Sequence, residues 1–368
     1  MIQIKYPHSS SDFVNEYLAI FDLVQLEQDW NTYKTTYNLQ NCNFTVQDIL
    51  KGDFNFLLDK SLKIAYPISD IKNKIKLYKL KKIFDYDKYQ PQIANFFMKY
   101  KSEMKLSTCY YCNIDYINAF VSDNYPNKLD FINNANQEIF TKISNVGEAT
   151  FKKIDAIRPY ISVDDFQQKL NSKKIQNLDE IIETINNQSY PQYIQKNHFT
   201  LDHVIDKATN PIVALSLFNF VPSCYSCNSK FKKSEQFTNN SLEHYKSPTH
   251  SGFHFDEKVK FKLLFSSAVT DLTVKSIDDI DVLLKDNENL FDDYIKIFKL
   301  NDRYRYHKNI ILELLNKKQD YSNSRIDEIS KIVGKSKKEI EKDLFGKEIF
   351  EGELQEEPFT KLKRDIYV

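Results

Sequence analysis

The residue types best suited to chemistry gather between Leu201 and Lys230. An acid and a histidine stand side by side at Asp202 and His203, and Asn219 and Asn228 follow them. Imidazole titrates near neutral pH, while carboxylate and amide oxygens are hard ligands that suit Mg²⁺ or Mn²⁺. Hydrolysis of a phosphodiester bond needs a base for the attacking water and a cation for the leaving oxygen. The stretch is therefore typical of a metal-dependent nuclease site.

Two cysteine pairs predict a second metal site. Cys109 and Cys112 form one C-x-x-C pair, and Cys224 and Cys227 form the other. Two such turns complete the four ligands of a tetrahedral Zn²⁺ with no open position, which makes the site structural. The alternative is a redox C-x-x-C, which normally uses a single pair in a thioredoxin-like setting. Cys42 stands alone and is expected to be a small buried apolar residue.

The combined pattern resembles the HNH, or His-Me finger, endonucleases, which are built as two strands and a helix around one divalent metal. The run from Leu215 to Lys232 is similar to the Septu-type and retron-associated nucleases of bacterial anti-phage defence. Phe96-Phe97, Phe253-His254-Phe255 and the segment from Pro358 to Ile366 also look like that subgroup. The resemblance covers the chain from about Phe96 to its C-terminus.

This resemblance implies a DNA endonuclease that acts as the effector of a defence system together with an ABC/SMC-like ATPase. His203 would be the general base, and Asp202 and Asn228 would hold Mg²⁺ or Mn²⁺. Asn219 would hydrogen-bond across the loop and hold His203 in its orientation and tautomer. Lysines that follow Asn228 would lie near a docked phosphate backbone: Lys230, Lys232 and Lys233.

The sequence also departs from that subgroup. An extra helical block separates the first cysteine pair from Asp202. After His203 the family often has a Pro-Lys-Ser turn, and here Asp206 is either an acidic neighbour of the site or a surface residue. Asn228 replaces the histidine that often ends the motif, which makes the site richer in oxygen ligands and favours Mg²⁺ or Mn²⁺ over Zn²⁺.

Composition is compatible with this prediction. A chain of 368 residues is expected to hold two or three domains. Its 51 basic and 51 acidic residues give a formal net charge of zero, which weighs against a histone-like coating protein but does not exclude a nuclease. The N-terminal residues have no apolar signal core, and no apolar run reaches about 18 residues. We therefore expect a cytoplasmic protein that does not enter membranes.

The pattern of helices and strands expected around the site indicates an α+β, predominantly helical protein. It divides the chain into four regions. Residues 1–95 form a helical region that could dock a partner, and residues 96–120 with 198–265 form the small ββα-metal HNH core stapled by the four cysteines. Residues 121–197 form a helical insertion, in which the segment from Ile143 to Ile154 resembles a helix-hairpin-helix. Residues 266–368 form a helical C-terminal region.

Apolar periodicity places the individual elements. It predicts helices at 13–24, 46–58, 71–84, 92–103 and 302–318, and strands at 113–120 and 252–265. The lysine-rich segment 71–84 is either a solvated surface helix or a phosphate-contacting one. The segment from Arg325 to Gly346 predicts two helices around Gly334, either a helix-turn-helix or a hairpin that docks a partner.

Two other functions remain open. The substrate could be RNA, such as tRNA, because net charge does not distinguish the two nucleic acids. The chain could also be a catalytically silent, zinc-stapled adaptor that binds nucleic acid or a partner. The complete set of Asp202, His203, Asn219 and Asn228 argues against an adaptor, since binding alone does not require a base.

Overall fold

The computed structural model describes residues 2–7, 11–39, 42–64, 71–233, 247–266, 274, 276–351 and 356–367. Helices hold the larger share of these residues, and short antiparallel strand pairs accompany them. The expectation of a predominantly helical α+β protein is therefore confirmed. The chain divides into two compact units, the first made of residues 1–118 and 197–368 and the second of residues 119–196.

The described residues of the first unit begin with helices α1 (Ser11–Leu18), α2 (Leu23–Thr36), α3 (Val46–Lys51), α4 (Phe54–Ile64), α5 (Ile71–Ile83) and α6 (Tyr86–Lys99). The segments expected as single helices at 13–24 and 46–58 are each split in two. Asp22 starts α2 by accepting a hydrogen bond from the backbone N–H of Gln25 at 3.0 Å, as an N-cap residue does. Trp30 is fully buried on α2, and its Nε1 donates to the carbonyl of Phe44.

The segment after the first cysteine pair is a turn, and the strand expected at 113–120 is wrong for most of its length. Asn113 has a φ of +52°, a left-handed conformation that asparagine tolerates. Its Nδ2 donates to Thr108 Oγ1 at 2.9 Å, and the backbone N–H of Cys109 bonds the carbonyl of Asp115. These local bonds fold the chain back on itself, so an extended strand starts only at Ala119.

The second unit has its own core. Its elements are β1 (Ala119–Tyr125), α7 (Lys128–Asn134), α8 (Gln137–Phe140), α9 (Glu148–Asp155), α10 (Val163–Ser172), α11 (Leu178–Asn187) and β2 (Gln192–Asn197), and β1 pairs with β2. Phe131, Phe140 and Phe166 are buried at its centre. The helix-hairpin-helix-like segment is a turn leading into α9, and Gly147 is the N-cap residue.

The stretch around His203 forms a strand hairpin followed by one helical segment. Strand β3 (Thr200–His203) pairs antiparallel with β4 (Phe220–Ser223), and His203 lies opposite Phe220. The connecting loop contains two 3-10 turns, Pro211–Val213 and Leu217–Asn219. A π-helical segment, Ser226–Lys232, follows β4. His203 therefore ends the first strand, Asn219 precedes the second, and Asn228 lies on the helical segment.

The rest of the first unit contains α12 (Phe255–Lys258), β5 (Val259–Phe265), β6 (Ile280–Asp286), α13 (Asp292–Ile297), α14 (Leu300–Tyr306), α15 (Lys308–Asp320), α16 (Asn323–Val333), α17 (Lys337–Phe345), α18 (Lys347–Phe350) and α19 (Thr360–Tyr367). The strand expected at 252–265 begins only at Val259. The helix expected at 302–318 is interrupted at His307, whose ring packs on Phe359 with centroids 4.6 Å apart. The two helices expected around Gly334 are present as α16 and α17, with Gly334 between them in the left-handed conformation.

Within the described ranges, no helix combines the length and apolar character needed to cross a lipid bilayer.

Candidate active site and thiolate cluster

The end of strand β3 brings Asp202 and His203 together at a cleft of about 400 Å³. Both side chains are largely buried, with Asp202 3% and His203 8% exposed. Asn228 also lines this cleft and is half-buried. The cleft thus brings together three of the four predicted site residues. Its described lining is completed by Tyr86, Asp87, Gln90, Phe199, Thr200, Leu201, Asp206, Lys207 and Lys233.

One hydrogen bond fixes the tautomer of His203. Its Nε2 lies 2.9 Å from the carbonyl oxygen of Ala214. A carbonyl oxygen can only accept, so Nε2 carries the hydrogen and donates it. In the neutral ring Nδ1 is then the unprotonated nitrogen, and no hydrogen bond from another described residue reaches it. His203 is therefore held with one nitrogen anchored and the other available to accept a proton.

Two aromatic rings enclose the imidazole. Tyr86 meets it edge-on with centroids 4.7 Å apart, and Phe220 packs on it at 4.8 Å. Burial lowers the pKa of His203 to about 3, and the positive charges of Lys207 and Lys232 act in the same direction. The imidazole is therefore neutral at physiological pH, the protonation state that a general base requires.

The hydrogen bonds of the Asn219 side chain go to the backbone of the loop and not to the ring of His203. Its Oδ1 accepts from the N–H of Ile205 at 2.8 Å, and its Nδ2 donates to the carbonyls of Ile205 and Val213, each at 3.0 Å. The amide is completely buried. These bonds tie both ends of the loop together and set the position of Ala214, the residue that accepts from His203. The bond across the loop that the resemblance implied is present, but its effect on the imidazole is indirect.

Asp202 faces two partners that the sequence did not identify. Its Oδ2 accepts from the hydroxyl of Tyr111 at 2.6 Å and lies 3.1 Å from Lys232 Nζ. Lys232 also donates to Asp202 Oδ1 at 3.2 Å and to the carbonyl of His203 at 2.8 Å. Burial raises the pKa of Asp202, and the nearby ammonium of Lys232 opposes that effect. The carboxylate and the ammonium thus form a buried ion pair directly behind the cleft.

The donor atoms at the cleft fit a hard divalent cation. A carboxylate has about four lone-pair positions, and the contacts of Asp202 with Tyr111 and Lys232 leave one on Oδ1. The side chain of Asn228 makes no hydrogen bond with another described residue. One carboxylate and one amide oxygen, completed by water and phosphate oxygens, match the sparse protein ligation usual for Mg²⁺.

The basic residues after Asn228 differ in their environment. Lys232 is 1% exposed and paired with Asp202, so the expectation that it contacts a phosphate backbone is wrong. Lys230 and Lys233 are exposed, and Lys233 lines the cleft. Asp206 also lines the cleft, but both of its carboxylate oxygens accept from backbone N–H groups of its own loop, at Ala208 and Thr209.

The sulfur atoms of the two C-x-x-C pairs form a cluster in the first unit. The Sγ atoms of Cys109, Cys112, Cys224 and Cys227 all lie within 4.8 Å of one another, and all four residues are buried. Tetrahedral Zn–S bonds of about 2.3 Å place sulfurs about 3.8 Å apart. The cluster could therefore hold a metal ion such as zinc. Cys42 is buried elsewhere, as expected.

Arg303 on α14 binds this cluster from outside. Its two terminal nitrogens lie 3.2 Å from Cys227 Sγ and 3.4 Å from Cys112 Sγ, and one of them also bonds Asp115. Burial alone would raise the pKa of the Cys112 thiol, but hydrogen bonds with the other cysteines and the charge of Arg303 lower it well below its usual value. The guanidinium thus favours the thiolate form that binds metal.

Sequence reasoning assigned no role at either site to Tyr86, Tyr111, Lys207 or Arg303. Tyr86 lies at the start of α6, in the N-terminal region that was expected to dock a partner, and the centroid of its ring lies 3.9 Å from Lys207 Nζ. Tyr86 and Arg303 come from distant parts of the chain, so no local pattern links them to His203 or to the cysteines. Tyr111 and Lys207 are close in sequence to Cys112 and His203, but spacing alone does not predict that Tyr111 bonds Asp202 or that Lys207 lies over Tyr86. Lys232 had a signal, since four positions separate it from Asn228 on the same helical segment.

Comparisons with protein-family models, with curated proteins and with solved structures found no match to this chain. The function proposed below therefore rests on the residues of the chain itself and on the resemblance of the stretch around His203.

Proposed function

We propose that this chain is a metal-dependent endonuclease of the HNH type that hydrolyses phosphodiester bonds in DNA. The supporting observation is the convergence of Asp202, His203 and Asn228 on one cleft, with His203 neutral and anchored to Ala214 through Nε2. A site that only binds nucleic acid has no need to present an unprotonated Nδ1 beside two oxygen ligands.

In this proposal His203 Nδ1 takes the proton from the water that attacks phosphorus. The Ala214 carbonyl accepts from Nε2 throughout, so it keeps the ring in place and stabilises the imidazolium that forms. The anionic phosphate raises the pKa of His203 when it enters the cleft, because an adjacent negative charge favours the protonated ring. A Mg²⁺ or Mn²⁺ ion held by Asp202 and Asn228 would supply positive charge for the leaving oxygen.

Exposed lysines would bind the phosphate groups of the DNA backbone. Lys207 and Lys233 line the cleft, and a smaller adjoining groove that shares Tyr86 and Lys207 extends to Lys81 on α5. Lys74, Lys79 and Lys82 are further exposed residues of α5. We therefore extend the proposed phosphate path from the cleft along this helix, since phosphate neutralisation dominates the affinity for DNA.

We also propose that the four cysteines hold a structural Zn²⁺. All four ligand positions of the ion would be filled by thiolates, and Arg303 would offset part of their negative charge. The cluster joins the turn after α6 to the segment that carries Asn228, so zinc would stabilise the fold of the cleft without entering the chemistry.

The resemblance to Septu-type and retron-associated nucleases adds a biological role to the proposal. The chain would be the effector of a bacterial anti-phage defence system, together with an ABC/SMC-like ATPase. Residues 1–95 were expected to dock that partner, but α6 also lines the cleft. We propose that the partner contacts the helices before α6. Val24 is a large apolar residue of α2 that is 70% exposed, so Val24→Asp should weaken copurification with a coexpressed ABC/SMC-like ATPase and leave the fold intact; unchanged copurification would contradict this assignment.

The deciding experiment measures cleavage of plasmid DNA, single-stranded DNA and tRNA with Mg²⁺, with Mn²⁺ and with EDTA, in the presence and absence of the partner. His203→Ala should abolish cleavage while the protein keeps its fold and its zinc. His254→Ala is the matched control, because that side chain is half exposed and pairs with Glu257 outside the described lining of the cleft. Full activity of His203→Ala would contradict the mechanism.

Two alternatives are outcomes of the same assay. Cleavage of tRNA but not of DNA would make the chain a ribonuclease with the same residues. Binding without cleavage under every condition would favour the silent adaptor. The observation in favour of the adaptor is that Lys232 already neutralises Asp202.

A further inference from the structure

We propose that Lys232 keeps the affinity of the candidate active site for its divalent metal low until an anionic phosphate enters the cleft. Metal and substrate would then load together. This inference rests on the proposed nuclease function and concerns the regulation of the same site. It assigns to Lys232 a role different from the phosphate contact expected from the sequence.

The contacts of Lys232 hold its ammonium group next to Asp202. Its positive charge there would repel a metal ion bound by that carboxylate. Its Nζ lies 3.2 Å from Oδ1 and 3.1 Å from Oδ2 of Asp202, and 2.8 Å from the carbonyl of His203. The side chain is 1% exposed. Because the His203 carbonyl provides a second anchor, the ammonium stays beside Asp202 when the free lone pair of Oδ1 binds a metal.

The formal charges of the described residues around the cleft sum to zero. Three acids belong to the described lining, Asp87, Asp202 and Asp206, and they are matched by Lys207 and Lys233 on the lining and by Lys232 behind it. Asp87 pairs with Lys207, and Asp206 is bonded to its own loop. Hard divalent cations gain affinity from the negative charge of their ligands. The described residues therefore offer oxygen atoms to the metal but no excess of negative charge.

A phosphodiester supplies what the cleft lacks. It brings one negative charge and non-bridging oxygens that coordinate Mg²⁺, so it completes both the ligand set and the charge balance. Binding of either ligand should then favour binding of the other by the same factor. A protein built in this way would leave its cleft largely free of metal in the absence of nucleic acid.

The first test measures Mn²⁺ binding by electron paramagnetic resonance on the full-length, zinc-loaded protein without nucleic acid. Lys232→Met should bind Mn²⁺ at least about tenfold more tightly than the wild type, because one buried positive charge has been removed from beside the ligand. Lys230→Met is the matched control, since Lys230 is exposed on the same helical segment, and its affinity should equal that of the wild type. Equal affinities for Lys232→Met and the wild type would overturn the inference.

The second test uses the wild type, so it holds even if Lys232→Met fails to fold. Mn²⁺ binding is measured with a short phosphorothioate DNA oligonucleotide, whose backbone is anionic, and with a methylphosphonate oligonucleotide of the same sequence, whose backbone is neutral. Each is corrected for Mn²⁺ bound by the oligonucleotide alone. The anionic probe should tighten Mn²⁺ binding at least about tenfold and the neutral probe should leave it unchanged. No difference between the probes would contradict coupled loading.

The two proposals fail in different ways. Tighter Mn²⁺ binding by Lys232→Met in a chain that cleaves no nucleic acid would uphold the role of Lys232 and reject the nuclease. Metal-dependent cleavage by a wild type whose Mn²⁺ affinity equals that of Lys232→Met would uphold the nuclease and reject the role of Lys232.

Discussion

The imidazole of His203 donates from Nε2 to the carbonyl of Ala214 across 2.9 Å. The acceptor belongs to the loop that joins β3 to β4, and that loop is also where Tyr17 and Ile49 of the N-terminal helices attach. The hydroxyl of Tyr17 donates to the carbonyl of Leu215, and Ser216 Oγ donates to the carbonyl of Ile49, each at 2.7 Å. The tautomer of the candidate base therefore depends on how the N-terminal helices pack against this loop.

Asn219 should matter for stability as well as for activity. Asn219→Ala removes three buried hydrogen bonds and takes away the side-chain partner of both the N–H and the carbonyl of Ile205, while the carbonyl of Val213 keeps its bond from the N–H of Ser216. We expect a loss of about 3 kcal/mol in the free energy of unfolding, together with lower cleavage activity, because Ala214 is released. Urea denaturation measures the first effect. Asn31→Ala, at an exposed position of α2, is the control and should change stability by less than about 0.5 kcal/mol.

The thiolate cluster should hold one zinc ion per chain. Elemental analysis of protein purified without added metal should give a zinc-to-protein ratio of about one. Cys227→Ser should lose the zinc and unfold the first unit, because metal binding is part of the folding energy of such sites. Cys42→Ser keeps all four ligands and should keep the metal. A stable, zinc-free Cys227→Ser protein would show that the cluster does not need a metal.

Arg303 should tune the metal affinity of the cluster. Its guanidinium bonds two of the sulfurs and lies over the ring of Phe231 at 4.9 Å. Replacing such an outer partner of metal ligands typically costs about 10- to 100-fold in affinity, so Arg303→Met should release zinc to a chelator at correspondingly lower chelator concentration. Arg305→Met removes an exposed ion pair with Asp281 and should leave zinc release unchanged. The same release curve for both variants would exclude this role.

The buried His203 should make stability depend on pH. Its pKa of about 3 in the folded chain lies below the value of 6.5 expected when unfolded. The unfolded state therefore takes up a proton first, and the contribution of His203 to stability is complete above pH 6.5 and is lost as the pH falls towards 3. Between pH 7.5 and 5.5 the loss from this residue is about 1.4 kcal/mol.

His203→Gln isolates that effect, because glutamine can still donate to Ala214 but does not titrate. In buffer without added Mg²⁺ or Mn²⁺, the difference in unfolding free energy between the wild type and His203→Gln should shrink by about that amount at pH 5.5. A difference that does not change with pH would mean that the imidazole is not buried as a neutral group.

The sequence by itself determined the residue types at the site and their order. The C-x-x-C spacing predicted four thiolates that meet, because each turn brings two sulfurs to one side and a metal of fixed coordination number needs two turns. Gly334 predicted the end of α16, since a left-handed residue after a helix favours glycine. Apolar periodicity predicted a mostly helical chain. Each of these predictions starts from residues close together in sequence, although the two cysteine pairs themselves lie far apart along the chain.

Only the tertiary structure decided what each functional group meets. No local pattern predicted that Ala214 would accept a hydrogen bond from His203 or that the ring of Tyr86 would pack on the imidazole. Nor did one predict that Asp202 would bond Tyr111 and pair with Lys232. His307 interrupts a helix whose apolar pattern is continuous, and its ring packs against Phe359, far away in sequence. Periodicity reports which face of an element is buried, whereas the partner on that face is fixed by long-range packing. Lys232 illustrates this. The sequence predicted that its ammonium group would contact a phosphate at the surface, whereas in the fold the side chain is buried and pairs with the carboxylate of Asp202.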